Sequence, residues 1–307
     1  MIYRNSIYRN ALICIAAFAL SIIIYSCGGK EKTNIIVIFH AGSLAVPFNE
    51  IIKDFKKENP GIEIYAESSG SLAAARKITE LNKPCDILAV SDYMVINKLL
   101  IPAHAKKNIV FATNEMVIAY TDKSLYNDSI NSDNWYEILK MNEVTIGRSE
   151  PNADPCGYRS LFVFKLAELY CNVSGLSDRL TNKEKTIIRP KEVDLLALTE
   201  TANVDYLLIY KSVAIQHNLK YISLPDEINL SNSEFENTYQ KVNTIVNGSV
   251  AGEKTSISGT AIQYSYCIPE NSENPEAAAK FIAFMCDKNK GGKILEKNGM
   301  KPISNLP

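Results

Sequence analysis

The stretch IIVIFHAGSLAVPFNEIIKDFKKENPGIEIYAE, residues 35–67, decides the fold. It opens on IIVIF (35–39), a continuous apolar run of the kind found in strands covered on both faces. Leu44, Phe48, Ile51, Ile52 and Phe55 then recur at helical spacing until Asn59, Pro60 and Gly61 end the pattern. A second strand, IEIYAE (62–67), follows. Strand, helix, strand in that order is the unit of a parallel sheet, because parallel neighbours need a crossover between them.

Outward from this unit the alternation continues. A helix is expected over 71–81, a strand at CDILAV (85–90) and a helix over about 92–100. VTIGRS (144–149) leads into a helix from Pro155 to about Tyr170, with Tyr158, Leu161, Phe162, Leu166 and Leu169 as one apolar face, and VDYLLIY (204–210) is a further strand. Two extended runs, EMVIAYT (115–121) and AIQYSYCI (261–268), lack a partner helix and read as crossings between lobes. The expectation is an α/β protein of two mixed, mostly parallel sheets joined by a two-segment hinge. Residues 34–113 with 265–307, which carry C-terminal helices over 276–297, make one lobe and 114–264 the other, with a ligand cleft between them. Asn/Ser-rich stretches at 127–134 and 229–237 read as surface loops.

A net charge of −1 over 307 residues gives no basis for binding nucleic acid or an anionic membrane surface. Arg4 and Arg9 precede an apolar stretch from Ala11 to about Tyr25, which reads as an export signal over residues 1–26. IYSC (24–27) followed by GGKEK resembles a bacterial lipoprotein signal, with Cys27 as the lipidated first residue; an uncleaved membrane anchor is the other reading. Both place the body outside the cytoplasm. Once Cys14 and Cys27 are set aside, Cys85, Cys156, Cys171, Cys267 and Cys286 remain, an odd number that cannot all pair, and their disulfide status is open. No cysteine or histidine spacing suggests a metal-ion site.

The residues with special chemistry fall at the carboxyl ends of expected strands. Gly42 and Ser43 follow the first strand, Ser69, Gly70 and Ser71 the second, and Asp154, Pro155 and Cys156 the strand at 144–149; Tyr210 ends the strand at 204–210. That edge of an open α/β sheet is where ligands bind, and helix N-termini there offer free N–H groups to an anion. Each residue also has a local explanation. Ser43 and Ser71 suit N-caps, Asp154-Pro155 is an ordinary helix start, Glu192 suits the first turn of a helix, and Tyr210 a strand. His40, His104 and His217 read as structural.

FHAGSLAVPF (39–48), SSGSLAAARKITEL (68–81), CDILAVSDY (85–93), FATNEMVIAYTDKS (111–124), PNADPCGYRS (151–160), IIRPKEVDLLAL (187–198) and YLLIYKSVAIQH (206–217) together resemble the tungstate/molybdate-binding proteins of ABC importers. The resemblance implies a two-lobed periplasmic-binding-protein fold of type II that closes on a tetrahedral oxyanion and delivers it to a membrane permease. It also implies a monomer that is no enzyme and carries no cofactor beyond its ligand. Carried over residue by residue, the binding set is Gly42, Ser43, Ser71, Asp154, Pro155, Cys156, Glu192 and Tyr210. Val193 stands where the family motif has threonine.

Two carboxylates beside a dianion repel it. Unit charges about 4 Å apart at an effective dielectric near 20 cost roughly 4 kcal/mol per pair. Hydrogen bonds return only about 0.5–3 kcal/mol each. Either the carboxyls are protonated donors or their oxygens bind the central metal atom. The resemblance favours the second, with Asp154 and Glu192 as added ligands of tungsten or molybdenum, which sulfur does not accept. A binding protein for sulfate or another small anion is the alternative, and a secreted serine hydrolase using Ser43 near His40 the remote one, since no G-x-S-x-G elbow surrounds Ser43.

Overall fold

In the computed structural model, residues 34–248 and 252–303 are described. The expected signal segment 1–26, Cys14 and the lipidation site Cys27 lie outside them. The opening stretch forms β1 (Ile35–Ala41), a helix Ala45–Glu58 and β2 (Glu63–Ser69). Then come β3 (Ile87–Val90), β4 (Ile109–Thr113), β5 (Met116–Tyr120), β6 (Ile146–Ser149), β7 (Thr186–Arg189), β8 (Tyr206–Tyr210) and β9 (Lys220–Ser223). The last four are β10 (Asn243–Asn247), β11 (Lys254–Ser258), β12 (Gln263–Cys267) and β13 (Lys301–Pro302).

These strands make two sheets and a hairpin: β13-β4-β12-β3-β1-β2, β7-β6-β8-β5-β9, and β10-β11. β1 pairs in parallel with both β2 and β3, and β6 with both β7 and β8, as crossover helices require. The sheets are mixed, because β12 runs antiparallel to β3 and β4, and β5 antiparallel to β8 and β9. The runs at 115–121 and 261–268 are therefore interior strands and not free connections. The chain changes sheet at Asn114–Glu115 and returns to the first sheet just before β12.

The periodic residues of the first helix do what their spacing demands. Phe48, Ile51 and Phe55 are buried, and Phe55 meets Phe281 and Phe284 of the helix Pro275–Cys286 edge-on at centroid distances of 5.3 and 5.6 Å. The helix Pro155–Cys171 departs from the single apolar face expected of it. It is buried on nearly all sides from Pro155 to Ala167, polar Arg159 and Ser160 included, whereas Leu169 is 58% exposed. Its first turns are enclosed by both halves of the protein, so periodicity cannot mark a face there. The stretch 229–237 is likewise more ordered than a loop: Asn229 is buried, and short helical turns run over Asp226–Asn229, Ser233–Phe235 and Glu236–Tyr239.

Candidate functional site

The carboxyl ends of β1, β2 and β3 on one side and of β6, β7 and β8 on the other face each other, and the residues between them are almost fully enclosed. Ser43, Asp154 and Glu192 are 1% exposed, and Ser71, Cys156 and Tyr210 are 0% exposed. Every residue expected from the sequence reaches this region.

Gly42–Leu44 is a single 3₁₀ turn after β1, and Ser43 caps nothing. Its Oγ accepts a hydrogen bond of 2.8 Å from Tyr264 Oη. Ser71 is the first residue of its helix, behind Gly70, and also caps nothing; its Oγ accepts from the Ser91 N–H at 3.0 Å. The local cap explanation thus fails for both serines. It holds for Asp154, whose Oδ1 accepts from the Cys156 N–H at 3.3 Å with Pro155 at the first helical position. Asp154 Oδ2 accepts from the Glu192 N–H at 3.2 Å, which ties the two carboxyl-bearing segments together.

Glu192 opens a 3₁₀ turn Glu192–Leu195 just past β7. Both its carboxyl oxygens are buried and neither makes a hydrogen bond of good geometry, although Asp154 and the Ser43 hydroxyl lie close enough to bear on its charge. Burial first, and then the Asp154 charge, raise its pKa well above the usual carboxylate range. Gly42 stands against it from the opposite sheet: a Cβ there would lie 3.2 Å from Glu192 Oε2 and 3.3 Å from Oε1. Tyr210, at the end of β8, accepts from Arg159 Nη1 at 2.8 Å and donates to Ser91 Oγ at 3.3 Å. Burial holds the Tyr210 phenol and the Cys156 thiol in their neutral forms.

Several buried neighbours of these residues carried no signal in the sequence. Arg159 is 1% exposed, with Nη2 3.3 Å from Asp92 Oδ2 and Nη1 donating to the Ser91 carbonyl at 2.7 Å. Burial opposes that charge, but Tyr210, Asp92 and Tyr158 more than offset it. Asp92 comes from the first-sheet side and Arg159 from the second, so the pair spans the two. Ser91 and Asp92 follow β3 at the same edge as the expected residues, and that position was the available clue. The halves also touch at the rim, where the Ala73 N–H donates to the Ala153 carbonyl at 3.2 Å and Arg76 donates to the Asn152 and Asn247 carbonyls at 2.6 and 3.0 Å. Gly70 sits under Ala153 so closely that a Cβ would lie 2.8 Å from its carbonyl carbon and overlap the oxygen.

Ser43 and His40 do not form a nucleophile–base pair among the described hydrogen bonds. Ser43 is engaged by Tyr264, and His40 Nδ1 lies 2.8 Å from the Ala41 carbonyl, its imidazole pushed down to about 4 by burial. Among the described residues no group of three or more His, Cys, Asp or Glu side chains is arranged to hold a metal ion, and no helix is long and apolar enough to cross a membrane.

A two-lobed α/β fold with a cluster of buried polar side chains between its sheets is the architecture that solute-binding proteins use, and comparison with known proteins agrees. Residues 36–301 match the bacterial extracellular solute-binding protein family, and the chain belongs to it. It is 46% identical over 276 residues to an uncharacterized solute-binding protein of Petrotoga mobilis, covering 90% of this chain and 86% of that one. It is 42% identical over 317 residues to the molybdate/tungstate-binding protein WtpA of Pyrococcus abyssi, covering 92% and 91%. Among solved structures, the periplasmic molybdate-binding protein of Azotobacter vinelandii shares the fold, with a TM-score of 0.64 at 16% identity over 86% of this chain and 98% of that one. The protein is therefore an extracytoplasmic, transport-associated binder and not an enzyme.

Proposed function

We propose that the protein captures tungstate or molybdate outside the cytoplasm and hands it to an ABC-type permease. The observation that carries this reading is Glu192: a carboxyl with both oxygens buried and in no well-formed hydrogen bond, beside a second buried carboxyl, Asp154. For an anion that keeps its charges to itself such a pair is a barrier. For an oxyanion whose central metal expands from four oxygens to six, it is a ready pair of ligands. The similarity to a relative named for molybdate and tungstate supports the same choice.

In this reading Asp154 and Glu192 coordinate the tungsten or molybdenum, while the hydroxyls of Ser43, Ser71 and Tyr210 and the N–H of Cys156 donate to the oxyanion oxygens. Gly42 allows close approach, and Pro155 fixes the turn in which the Cys156 N–H, now 3.3 Å from Asp154 Oδ1, is shared between that carboxyl and the anion. Residues 34–113 and 265–307 move as one lobe against 114–264, closing on the anion as a monomer whose Cys27 carries the lipid anchor. Calorimetric titration of the full chain in mild detergent with tungstate, molybdate and sulfate tests the reading. Tight binding of the first two and none of sulfate is expected. Binding of sulfate alone refutes the coordination chemistry.

A further inference from the structure

Ser43 is held by a chain of hydrogen bonds that begins where the polypeptide changes sheet. Asn114 Oδ1 accepts from the Glu115 N–H at 2.9 Å, which fixes the amide so that Nδ2 is the end that donates. Nδ2 gives one hydrogen bond to Ser212 Oγ at 2.7 Å and another to Tyr264 Oη at 3.3 Å. With Oη already accepting, the Tyr264 proton goes to Ser43 Oγ at 2.8 Å. Burial keeps Tyr264 a phenol with that proton to give. All three side chains are enclosed: Asn114 is 6%, Tyr264 0% and Ser43 1% exposed.

We infer that Asn114 and Tyr264 are positioning residues that make Ser43 a one-way donor, its oxygen occupied from behind and its own proton presented to the ligand. The inference rests on the oxyanion reading above and names the device that orients one of its donors. The other two hydroxyls are also backed by donors. The Ser91 N–H backs Ser71, and Arg159 Nη1 backs Tyr210. Tyr210, however, donates to Ser91 Oγ at 3.3 Å, and Ser71 Oγ lies 3.1 Å from that same oxygen, so of the three it is Ser43 whose described hydrogen bonds leave the proton for the anion and little rotation to lose on binding. A hydroxyl free to turn would instead have to abandon another partner at the moment of binding. Tyr264 belongs to β12, the strand that completes the return to the first sheet, so the relay connects both crossings to the site.

A double-mutant cycle in the full chain separates positioning from general packing, with tungstate affinity as the readout. Tyr264→Phe keeps the ring, which packs edge-on against Tyr210 at a centroid distance of 5.8 Å. It should weaken tungstate binding about five- to tenfold in the wild-type background and less than about twofold in a Ser43→Ala background, where nothing remains to orient. Asn114→Asp, which turns the donor into an acceptor and draws the Tyr264 proton away from Ser43, should repeat the pattern and serves if Tyr264→Phe does not fold. An equal loss in both backgrounds makes Tyr264 merely structural and overturns the relay while leaving the oxyanion reading intact. A Ser43→Ala variant that binds as the wild type does overturns the role of Ser43 and the relay together. Failure of the wild type to bind any of the three oxyanions overturns the functional reading itself.

Discussion

Gly70→Ala tests the proposed closure separately from the fold. Gly70 has φ −60° and ψ 142°, a conformation alanine adopts freely, so the substitution leaves an open form unstrained. By narrowing the unfolded ensemble it stabilises that form by about 0.4–1 kcal/mol. In the described structure the new Cβ lies 2.8 Å from the Ala153 carbonyl carbon. Ordinary carbon contact is at about 3.5–4.0 Å, and both clashing atoms are backbone, so no rotamer change relieves them. The 150s loop must back away by about 1 Å, enough to break the Ala73–Ala153 bond of 3.2 Å and the Arg76–Asn152 bond of 2.6 Å. One neutral bond at about 0.5–1.5 kcal/mol and one to a charged donor at about 1.5–3 sum to about 2–4.5 kcal/mol. That is about a 30- to 2000-fold loss of affinity. Calorimetry with tungstate reads the loss, and thermal unfolding without ligand should show a midpoint equal to or above the wild type. A variant that binds within threefold of the wild type refutes the claim that ligand affinity depends on this contact.

Other outcomes follow from the buried titratable groups. Glu192→Gln and Asp154→Asn should each weaken tungstate binding at least about 100-fold, roughly 2.7 kcal/mol, measured by the same titration. If Glu192 coordinates as the carboxylate, its raised pKa means that ligand binding expels a proton wherever the free protein still holds it. Titration in buffers of different ionisation enthalpy should detect this release in the wild type and not in Glu192→Gln, and no release in the wild type points instead to a protonated donor. Because the folded Glu192 keeps its proton where the unfolded one has lost it, ligand-free stability should fall as pH rises above about 4.5, and Glu192→Gln should remove that component. His40 acts with the opposite sign. Its pKa falls from 6.5 to about 4, so acidification across that window favours the proton-binding unfolded chain by up to about 3 kcal/mol, and His40→Gln should flatten the acid limb of the melting curve. Cys85, Cys156, Cys171, Cys267 and Cys286 are all free thiols, so a reductant should leave the melting midpoint unchanged.

The architecture was legible where burial is one-sided or complete over a strand. IIVIF, CDILAV and VDYLLIY each produced a strand, and the edge to which they lead carries the candidate residues. Legibility stopped where two halves enclose the same segment. The helix Pro155–Cys171 hides Arg159 and Ser160 as well as its apolar residues, so its sequence shows no face. Arg159 and Asp92 become partners only through tertiary closure, 67 positions apart in sequence, and Tyr264 reaches Ser43 across 221 positions. The hairpin β10-β11 went unread because Ile245, its most apolar outward residue, is 68% exposed and blurs the alternation. For Ser43 and Ser71 the local cap preference was a true propensity overridden by longer-range hydrogen bonds.

The strand order has a consequence for how the chain comes to be folded. The second sheet is drawn entirely from residues 116–223, whereas β12 at 263–267 lies between β4 and β3 of the first. As the polypeptide emerges from its N-terminus, β3 and β4 have no neighbour in common until about forty residues beyond the end of β9 have followed, so the half that begins first is finished last. Until then β3 and β4 expose unpaired edges that other chains could join. The interval between synthesis and completion is thus set by topology, and it is longest for the part of the molecule that bears β1.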